Sequence, residues 1–131
     1  MMKNSKLFYL LILLPVIFSC SSKKERTLEV SATAFNSVRY QTSSQPTITA
    51  WGDTLKPGMK SLAVSRDLID SGLTHMTRVY IEDLGEEYIV RDKMDDRWTK
   101  KIDIYMGENI DSAQAFGERK VTISWKAKKG N

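Results

Sequence analysis

The hydrophobic and polar positions follow different patterns in the two parts of this sequence. Residues 7–18 form one unbroken apolar run, whereas every later apolar stretch is short. Apolar and polar side chains alternate over 27–34 and again over 120–125, and a period of two is typical of a β-strand with one buried face. Short β-prone stretches lie between them, at 47–52, 61–65, 77–81, 87–90 and 101–105. The pattern therefore predicts about six short strands.

Two short segments have the character of helical turns. Residues 66–71 end at Gly72, and residues 110–116 end at Gly117, with Asp111 favourably placed in the first turn of the second segment. A sheet built from βαβ units needs longer helices between its strands. Short strands separated by turn signals at this spacing instead predict an all-β fold, a small closed barrel with two short helices.

The N-terminal segment resembles the signal peptide of a bacterial lipoprotein. Lys3 and Lys6 precede the apolar run, which is too short for an ordinary membrane-spanning helix. The run is followed by Ser19 and Cys20, and a small residue before a cysteine is similar to a lipobox. This resemblance implies cleavage before Cys20, lipidation of its thiol, and a domain anchored to a membrane outside the cytoplasm, on the periplasmic side. The alternative is a free thiol beside a removed segment.

The remaining sequence has room for one domain. We predict a signal peptide at 1–19, a polar tether at 20–26, a single domain at 27–125 and a basic tail at 126–131. The chain has 131 residues, of which 41% are hydrophobic and 27% are charged, and this is an ordinary globular composition.

The net charge and the small number of potential metal ligands limit the classes of function that the sequence suggests. The full chain has a formal charge of +4, and removal of residues 1–19 takes away two lysines and no acids, which leaves +2. A charge this small gives no indication of a nucleic-acid partner. Cys20 is the only cysteine and His75 the only histidine, so the sequence predicts no metal site and no cofactor. We expect a monomer.

Three aspartates follow or interrupt apolar strands. Asp67 and Asp92 each follow a predicted strand, and Asp103 lies between Ile102 and Ile104. A carboxylate among apolar side chains is unfavourable unless other groups hold it, and burial or a nearby like charge raises its pKa. We predict that the three carboxylates meet in one cleft. The alternative is that they stabilise the barrel by accepting backbone hydrogen bonds.

Aromatic and basic side chains accompany these carboxylates on the predicted loops. Trp51 and Trp98 lie beside the aspartate positions, where an indole ring can stack on a sugar while its N–H edge faces water. Lys93 and Lys101 make the rim basic, which suits the carboxylates of peptide stems or muramyl groups. Packing is the alternative role for the tryptophans, and a solvated loop is the alternative for the lysines.

Several short motifs resemble those of the three-aspartate (3D) domain. Thr-Ala-Phe at 33–35 is similar to the Thr-Ala-aromatic opening of that family, and Thr-Ala-Trp-Gly at 49–52 to its Thr-Ala-x-Gly turn. Lys-Ile-Asp-Ile-Tyr at 101–105 is the most specific segment. Its Asp103 follows Asp92 by eleven residues, a spacing that also fits. The resemblance covers nearly the whole predicted domain.

The resemblance implies a six-stranded double-psi β-barrel. It also implies a relation to the membrane-bound lytic transglycosylase A family, whose members cleave the glycan strands of peptidoglycan in the cell wall. On this basis Asp103 is the general acid and base, and Asp92 and Asp67 shape and polarise its site. The glycan-binding residues that we predict are Thr33, Thr49, Trp51, Trp98 and Lys101.

The loop at 93–102 departs from the transglycosylases, because it contains no glycine here. The sequence therefore leaves two functions open beside cleavage. One is a module that binds glycan in the same cleft without cutting it. The other is a structural envelope protein whose aspartates only stabilise the barrel.

Overall fold

The computed structural model describes residues 12, 15, 23–37 and 47–127. Its six strands are β1 (Lys24–Phe35), β2 (Ser61–Val64), β3 (Arg78–Ile81), β4 (Glu86–Lys93), β5 (Lys101–Tyr105) and β6 (Arg119–Ala127). The helices are α1 (Arg66–Asp70), α2 (Ile110–Phe116) and a single 3-10 turn (Glu82–Leu84). The fold is therefore mainly β with two short α-helices, as the sequence predicted. Cys20, most of the predicted signal peptide and the end of the predicted tail lie outside the described residues.

The six strands close into a barrel in the order β1-β5-β2-β4-β3-β6. Strand β1 pairs with β5 in parallel and with β6 antiparallel, and β4 pairs in the same two ways with β2 and β3. The antiparallel pairs β2–β5 and β3–β6 complete the ring. Each half of the chain thus has the order β-β-α-β, and strands of the two halves alternate around the barrel. This interlocked arrangement confirms the double-psi barrel.

Alternate side chains of the strands fill the barrel. Val30 and Ala32 point inward from β1, as do Ile102 and Ile104 from β5, and each is at most 1% exposed. Burying one isoleucine side chain contributes about 1.5–3 kcal/mol. Among the described residues, the buried hydrophobic core lies within residues 30–127. The described core therefore lies outside the predicted signal peptide.

The predicted strand at 47–52 is a tight loop in the structure. Its only ladder contact in the described residues is an isolated bridge between Ile48 and Thr54. Gly52 has a φ of 85°, a conformation that glycine adopts more readily than other residues, and it reverses the chain. The β-prone composition of this segment was therefore outweighed by its turn chemistry.

The ends of the first and last strands meet at one end of the barrel. Lys24 pairs with Ala127, so both strands extend beyond the predicted domain limits. Helix α2 is capped at its N-terminus by Asn109, whose Oδ1 accepts a hydrogen bond from the backbone N of Ser112 at 3.0 Å. Such a cap satisfies one of the N–H groups that a helix start leaves free. None of the helices in the described ranges is long and apolar enough to cross a membrane.

Candidate functional site

Four side chains form a row across adjacent strands on the outside of the barrel. Thr33 on β1 is paired with Asp103 on β5, Asp103 with Ala63 on β2, and Ala63 with Asp92 on β4. Directly paired residues present their side chains on the same face of a sheet. Both chain neighbours of Asp103 point into the core, so the row points away from it. Adjacent strands are about 4.8 Å apart, which places Asp103 and Asp92 roughly 10 Å from each other.

The Asp103 carboxyl has a strongly altered acidity. Its Oδ1 accepts a hydrogen bond from Oγ1 of Thr33 at 3.1 Å. Burial raises the pKa of Asp103 to about 6, although the Thr33 hydrogen bond and the charge of Lys101 act in the opposite direction, and the negative charge of Asp92 adds to the increase. A carboxyl group with such a pKa can give and take a proton near neutral pH.

Asp92 holds the neighbouring loop, residues 47–55, against the barrel. Its Oδ1 accepts hydrogen bonds from the backbone N of Ala50 and of Lys93, both at 2.9 Å. Burial raises the pKa of Asp92, and the negative charge of Asp53 contributes, while the two backbone hydrogen bonds oppose the increase. One carboxylate oxygen of Asp92 is therefore engaged in positioning a loop beside the row.

The loop at 47–55 carries Thr49 and Trp51, two of the predicted glycan-binding residues. Thr49 is buried, and its hydroxyl accepts a hydrogen bond from the backbone N of Asp53 at 3.0 Å. The backbone N of Thr49 donates to the carbonyl O of Asp53 at 2.8 Å. The Thr49 side chain thus shapes the loop from within, while Trp51 is half-buried at its surface.

Two residues to which the sequence analysis assigned no role stabilise this loop. Nε2 of His75 is hydrogen-bonded to Oδ2 of Asp53, and the His75 ring lies at a tilt against Trp51 with 5.1 Å between centroids. The ammonium of Lys93 lies 5.9 Å from the centre of the Trp51 ring. Asp53 and His75 are 22 positions apart, and no local sequence signal connects them, so only the fold reveals this contact.

Asp67 lies in the first turn of α1 and outside the row. Its Oδ2 accepts a hydrogen bond from the backbone N of Lys100 at 3.0 Å. Burial tends to raise the pKa of Asp67, but hydrogen bonds from the Ser65 hydroxyl and from backbone N–H groups outweigh it and hold the pKa below its usual range. Lys100 has a φ of 45°, which is unfavourable for a side chain of this kind. Asp67 therefore stabilises the turn that leads into β5.

Trp98 and Lys101 contact each other beside Asp103. The ammonium of Lys101 lies 3.8 Å from the centre of the Trp98 ring, and the guanidinium of Arg97 lies 4.9 Å from it. Lys101 is buried, at 8% exposure, and shares the outer face of β5 with Asp103, two residues further along. The Trp98 ring thus holds the positive charge of Lys101 beside the Asp103 carboxyl. The same ring is also in contact with the guanidinium of Arg97.

The structure groups the predicted site residues into two sets. Thr33, Asp92 and Asp103 share the row, with Lys101 on the same face and Trp51 and Trp98 on the flanking loops. Asp67 and Thr49 instead form hydrogen bonds that shape those loops. Among the described residues, no three histidine, cysteine or acidic side chains are placed to bind a metal ion. The arrangement provides an acid of raised pKa between two aromatic loops.

Comparison with known proteins adds no assignment. No protein-family model matches this sequence, and a search among curated proteins finds no match. A function for this protein must therefore be inferred from the geometry of the row and from the sequence motifs.

Proposed function

We propose that this protein acts on the glycan strands of peptidoglycan, as a relative of the three-aspartate domain and of the membrane-bound lytic transglycosylase A family. The observation that carries the proposal is the Asp103 carboxyl, whose pKa of about 6 belongs to a side chain on the outer face of the barrel. A group that must protonate a glycosidic oxygen needs a pKa near the working pH. The motifs at 33–35, 49–52 and 101–105 support the same substrate class.

The proposed reaction uses one carboxyl group twice. Protonated Asp103 gives its proton to the glycosidic oxygen as the bond from that oxygen to the sugar C1 breaks and positive charge develops on the ring. The 6-hydroxyl oxygen of the same sugar then bonds to C1 and closes an anhydro ring. The ionised Asp103 accepts the proton of that hydroxyl, so the enzyme ends in its starting state and no water is consumed.

The neighbours of Asp103 have distinct roles in this proposal. Thr33 donates to Oδ1, which orients the carboxyl and leaves Oδ2 to carry the transferred proton. The charge of Asp92 favours the protonated acid before the reaction, and the charge of Lys101 favours the carboxylate formed during it. These opposed effects keep the pKa near neutrality, where both proton transfers are feasible.

We propose that the predicted glycan-binding residues contribute in two ways, by direct contact with the sugar and by holding a loop in shape. Trp51 and Trp98 border the row from opposite loops, and Trp51 offers a half-buried ring on which a sugar can stack. We propose that Lys101 and Thr33 contact glycan or its carboxylates directly. Thr49 contributes by holding the Trp51 loop in shape.

The proposed location is the cell envelope. Lipidation of Cys20 would anchor a monomeric domain to a membrane on the periplasmic side, with peptidoglycan as its partner and without nucleic acid. Changing Cys20→Ala tests the anchor, because the variant should leave the membrane fraction. Retention of the variant in the membrane fraction would contradict lipid anchoring.

Cleavage is tested by incubating purified residues 21–131 with sacculi and searching for anhydromuropeptides by mass spectrometry. Wild type should release them, with a rate that falls as the pH rises above about 6 because the acid must be protonated. Asp103→Asn should lower the rate by about 100- to 10,000-fold. Asp111→Asn on α2 is the matched control and should leave it unchanged. Absence of anhydromuropeptides after incubation with the wild type would refute the proposed cleavage activity.

A non-catalytic glycan-binding module is the second candidate. It is favoured by the loop at 94–100, which has no glycine and in which Trp98 is already shared by Lys101 and Arg97. If sacculi are bound but not cut, and Trp51→Ala abolishes the sedimentation of the domain with sacculi, this function replaces cleavage. If the wild type neither cuts nor binds sacculi, the remaining candidate is a structural envelope protein whose aspartates only stabilise the barrel.

A further inference from the structure

The end of the barrel at which β1 begins carries a concentration of positive charge. Lys23, Lys24 and Arg26 are exposed there, and Lys126 on β6 is paired across the ladder with Glu25. None of the four basic side chains forms an ion pair with another residue in the described part of the chain. Their charges are therefore available to an external anionic surface.

The charge of this end is opposite to that of the rest of the domain. The described residues of this end include Lys23, Lys24, Arg26, Lys126 and one acid, Glu25, a formal charge of +3. The described residues as a whole contain 15 basic and 16 acidic side chains, a formal charge of −1, so those outside this end carry −4. A molecule with such an uneven charge distribution is oriented by the field of a charged surface.

An open cavity of about 780 Å³ adjoins the basic end. It lies along the outer face of β3 and β6, across the barrel from the β5–β2 pair that carries Asp103. Its lining includes three basic residues, Lys23, Arg78 and Lys126, and two acidic ones, Glu25 and Glu87. Met76 and Tyr80 line it as well and are 50% and 44% exposed. We call the surface formed by Lys23, Met76, Tyr80 and Lys126 the basal face. Basic groups beside exposed apolar and tyrosine side chains are typical of membrane-interface contacts.

The position of the proposed lipid anchor agrees with the position of the basal face. Cys20 precedes Lys23 by three residues, which span at most about 11 Å when extended. The site row lies elsewhere, because Thr33 is nine residues along β1 from Lys24, a path of about 30 Å. A lipid on Cys20 would thus bring the basal face to the headgroups and leave the row directed away from them.

We propose that the basal face docks on an anionic lipid surface, with Lys23 and Lys126 against headgroup phosphates and with Met76 and Tyr80 in the interfacial layer. The orientation rests on the proposed envelope location, whereas the lipid affinity of the basal face does not require it. In this orientation the membrane holds the domain with Asp103 facing the cell wall. The docking therefore gives the anchored domain one defined orientation.

Vesicle sedimentation tests this proposal with residues 21–131, which contain the described core but not Cys20. The domain should sediment with vesicles of equal parts phosphatidylglycerol and phosphatidylcholine at 50 mM salt. It should not sediment with phosphatidylcholine alone, nor with either vesicle at 500 mM salt. Failure to bind the anionic vesicles at low salt would overturn the proposal. Because no glycan is present, this outcome is independent of cleavage or binding of sacculi.

Charge-reversal variants show whether the basal face itself is responsible. Lys23→Glu combined with Lys126→Glu should lower the partition coefficient on anionic vesicles by at least about 20-fold, since each basic residue at such a surface contributes roughly fivefold. Lys56→Glu combined with Lys120→Glu makes the same change in net charge away from this face and should retain most of the binding. Equal losses in both pairs would overturn the proposal, because they would indicate attraction through net charge alone. Circular dichroism spectra check that both pairs are folded.

Discussion

The raised pKa of Asp103 predicts that this side chain destabilises the folded protein at neutral pH. In the unfolded chain the carboxyl has its ordinary pKa of 3.8, whereas in the barrel the pKa is about 6. The folded state therefore binds the proton more tightly, and the free energy of unfolding falls as the pH rises from about 4 to about 6. Replacing Asp103→Asn should remove this pH-dependent loss, because the amide carries no charge at any pH.

The size of the effect is set by the difference between the two pKa values. Each pKa unit corresponds to about 1.4 kcal/mol, so full ionisation of Asp103 costs about 3 kcal/mol of folding stability. The variant should thus gain about 2.5 kcal/mol over the wild type between pH 4 and pH 7.5, a range that covers most of the titration. At neutral pH this corresponds to a melting temperature about 10 °C higher. Asparagine also keeps an acceptor for the Thr33 hydroxyl, so the change is close to isosteric.

The assay is urea unfolding of residues 21–131, wild type and variant, at half-unit intervals between pH 4 and pH 8. The stability difference between the two proteins is plotted against pH, so that contributions common to both cancel. Asp67→Asn is the matched control, because the Asp67 pKa is held below its usual range. That variant should be less stable than the wild type, with a difference that stays nearly constant above about pH 5 instead of growing as a gain.

The shape of the Asp103→Asn curve decides the interpretation. A difference that rises with pH and levels off above pH 6 supports a buried acid of raised pKa. A flat difference would mean that Asp103 ionises as easily in the barrel as in the unfolded chain, and it would remove the basis for a general acid at this position. A difference that falls with pH would show that Lys101 and Thr33 outweigh burial.

The remaining predictions concern the charges around the row and one close backbone approach. Lys101→Met should raise the pKa of Asp103 above 6, because the ammonium lowers it; carboxyl carbon NMR titration measures the shift. Asp92→Asn should lower the same pKa, since the Asp92 charge raises it, and an unchanged titration would show that the two groups are uncoupled. Gly72→Ala should lower the unfolding free energy by more than about 1 kcal/mol, because φ is +98° and a Cβ would lie 2.9 Å from a side chain of β6. Gly58 has a φ of +91° and open space around it, so Gly58→Ala measures the cost of the backbone conformation alone. If both variants lose the same unfolding free energy in urea, crowding at Gly72 is excluded.

The strand pattern and the fold were predictable because the relevant signals are local. Alternation along 27–34 and 120–125 identified the two longest strands, and the short helices ended at their predicted glycines. The interlocked order of the strands was implied by the resemblance of the motifs, which is information about the chain as a whole. Residues 47–52 show the limit of the local signals, because β-prone side chains there were overridden by a turn at Gly52.

The residues of the candidate site could be proposed from the sequence, but their arrangement could not. In the sequence, Asp103 is a carboxylate within an apolar run. The structure explains this position, because side chains alternate along a strand, so that Ile102 and Ile104 point inward and Asp103 points outward. That Ala63 stands opposite Asp103 depends on pairing between strands forty positions apart, which no local pattern encodes. Both Asp67 and Asp92 follow predicted strands, yet in the structure Asp92 lies within β4, whereas the turn into α1 directs Asp67 to the backbone of Lys100.

The two-fold repetition of the barrel distinguishes Asp103 from the aspartates that stabilise it. Exchanging the halves maps the Thr33–Asp103 pair of β1 and β5 onto the Asp92–Ala63 pair of β4 and β2. The position related to Asp103 is therefore occupied by Ala63, so this place in the barrel does not need a carboxylate for closure. Asp92 and Asp67 accept backbone hydrogen bonds that hold loops, whereas the hydrogen bond to Asp103 in the described residues comes from the Thr33 side chain. An acid that is expected to lower stability, and that accepts no backbone hydrogen bond from the described residues, fits the chemical role proposed for the row better than support of the fold.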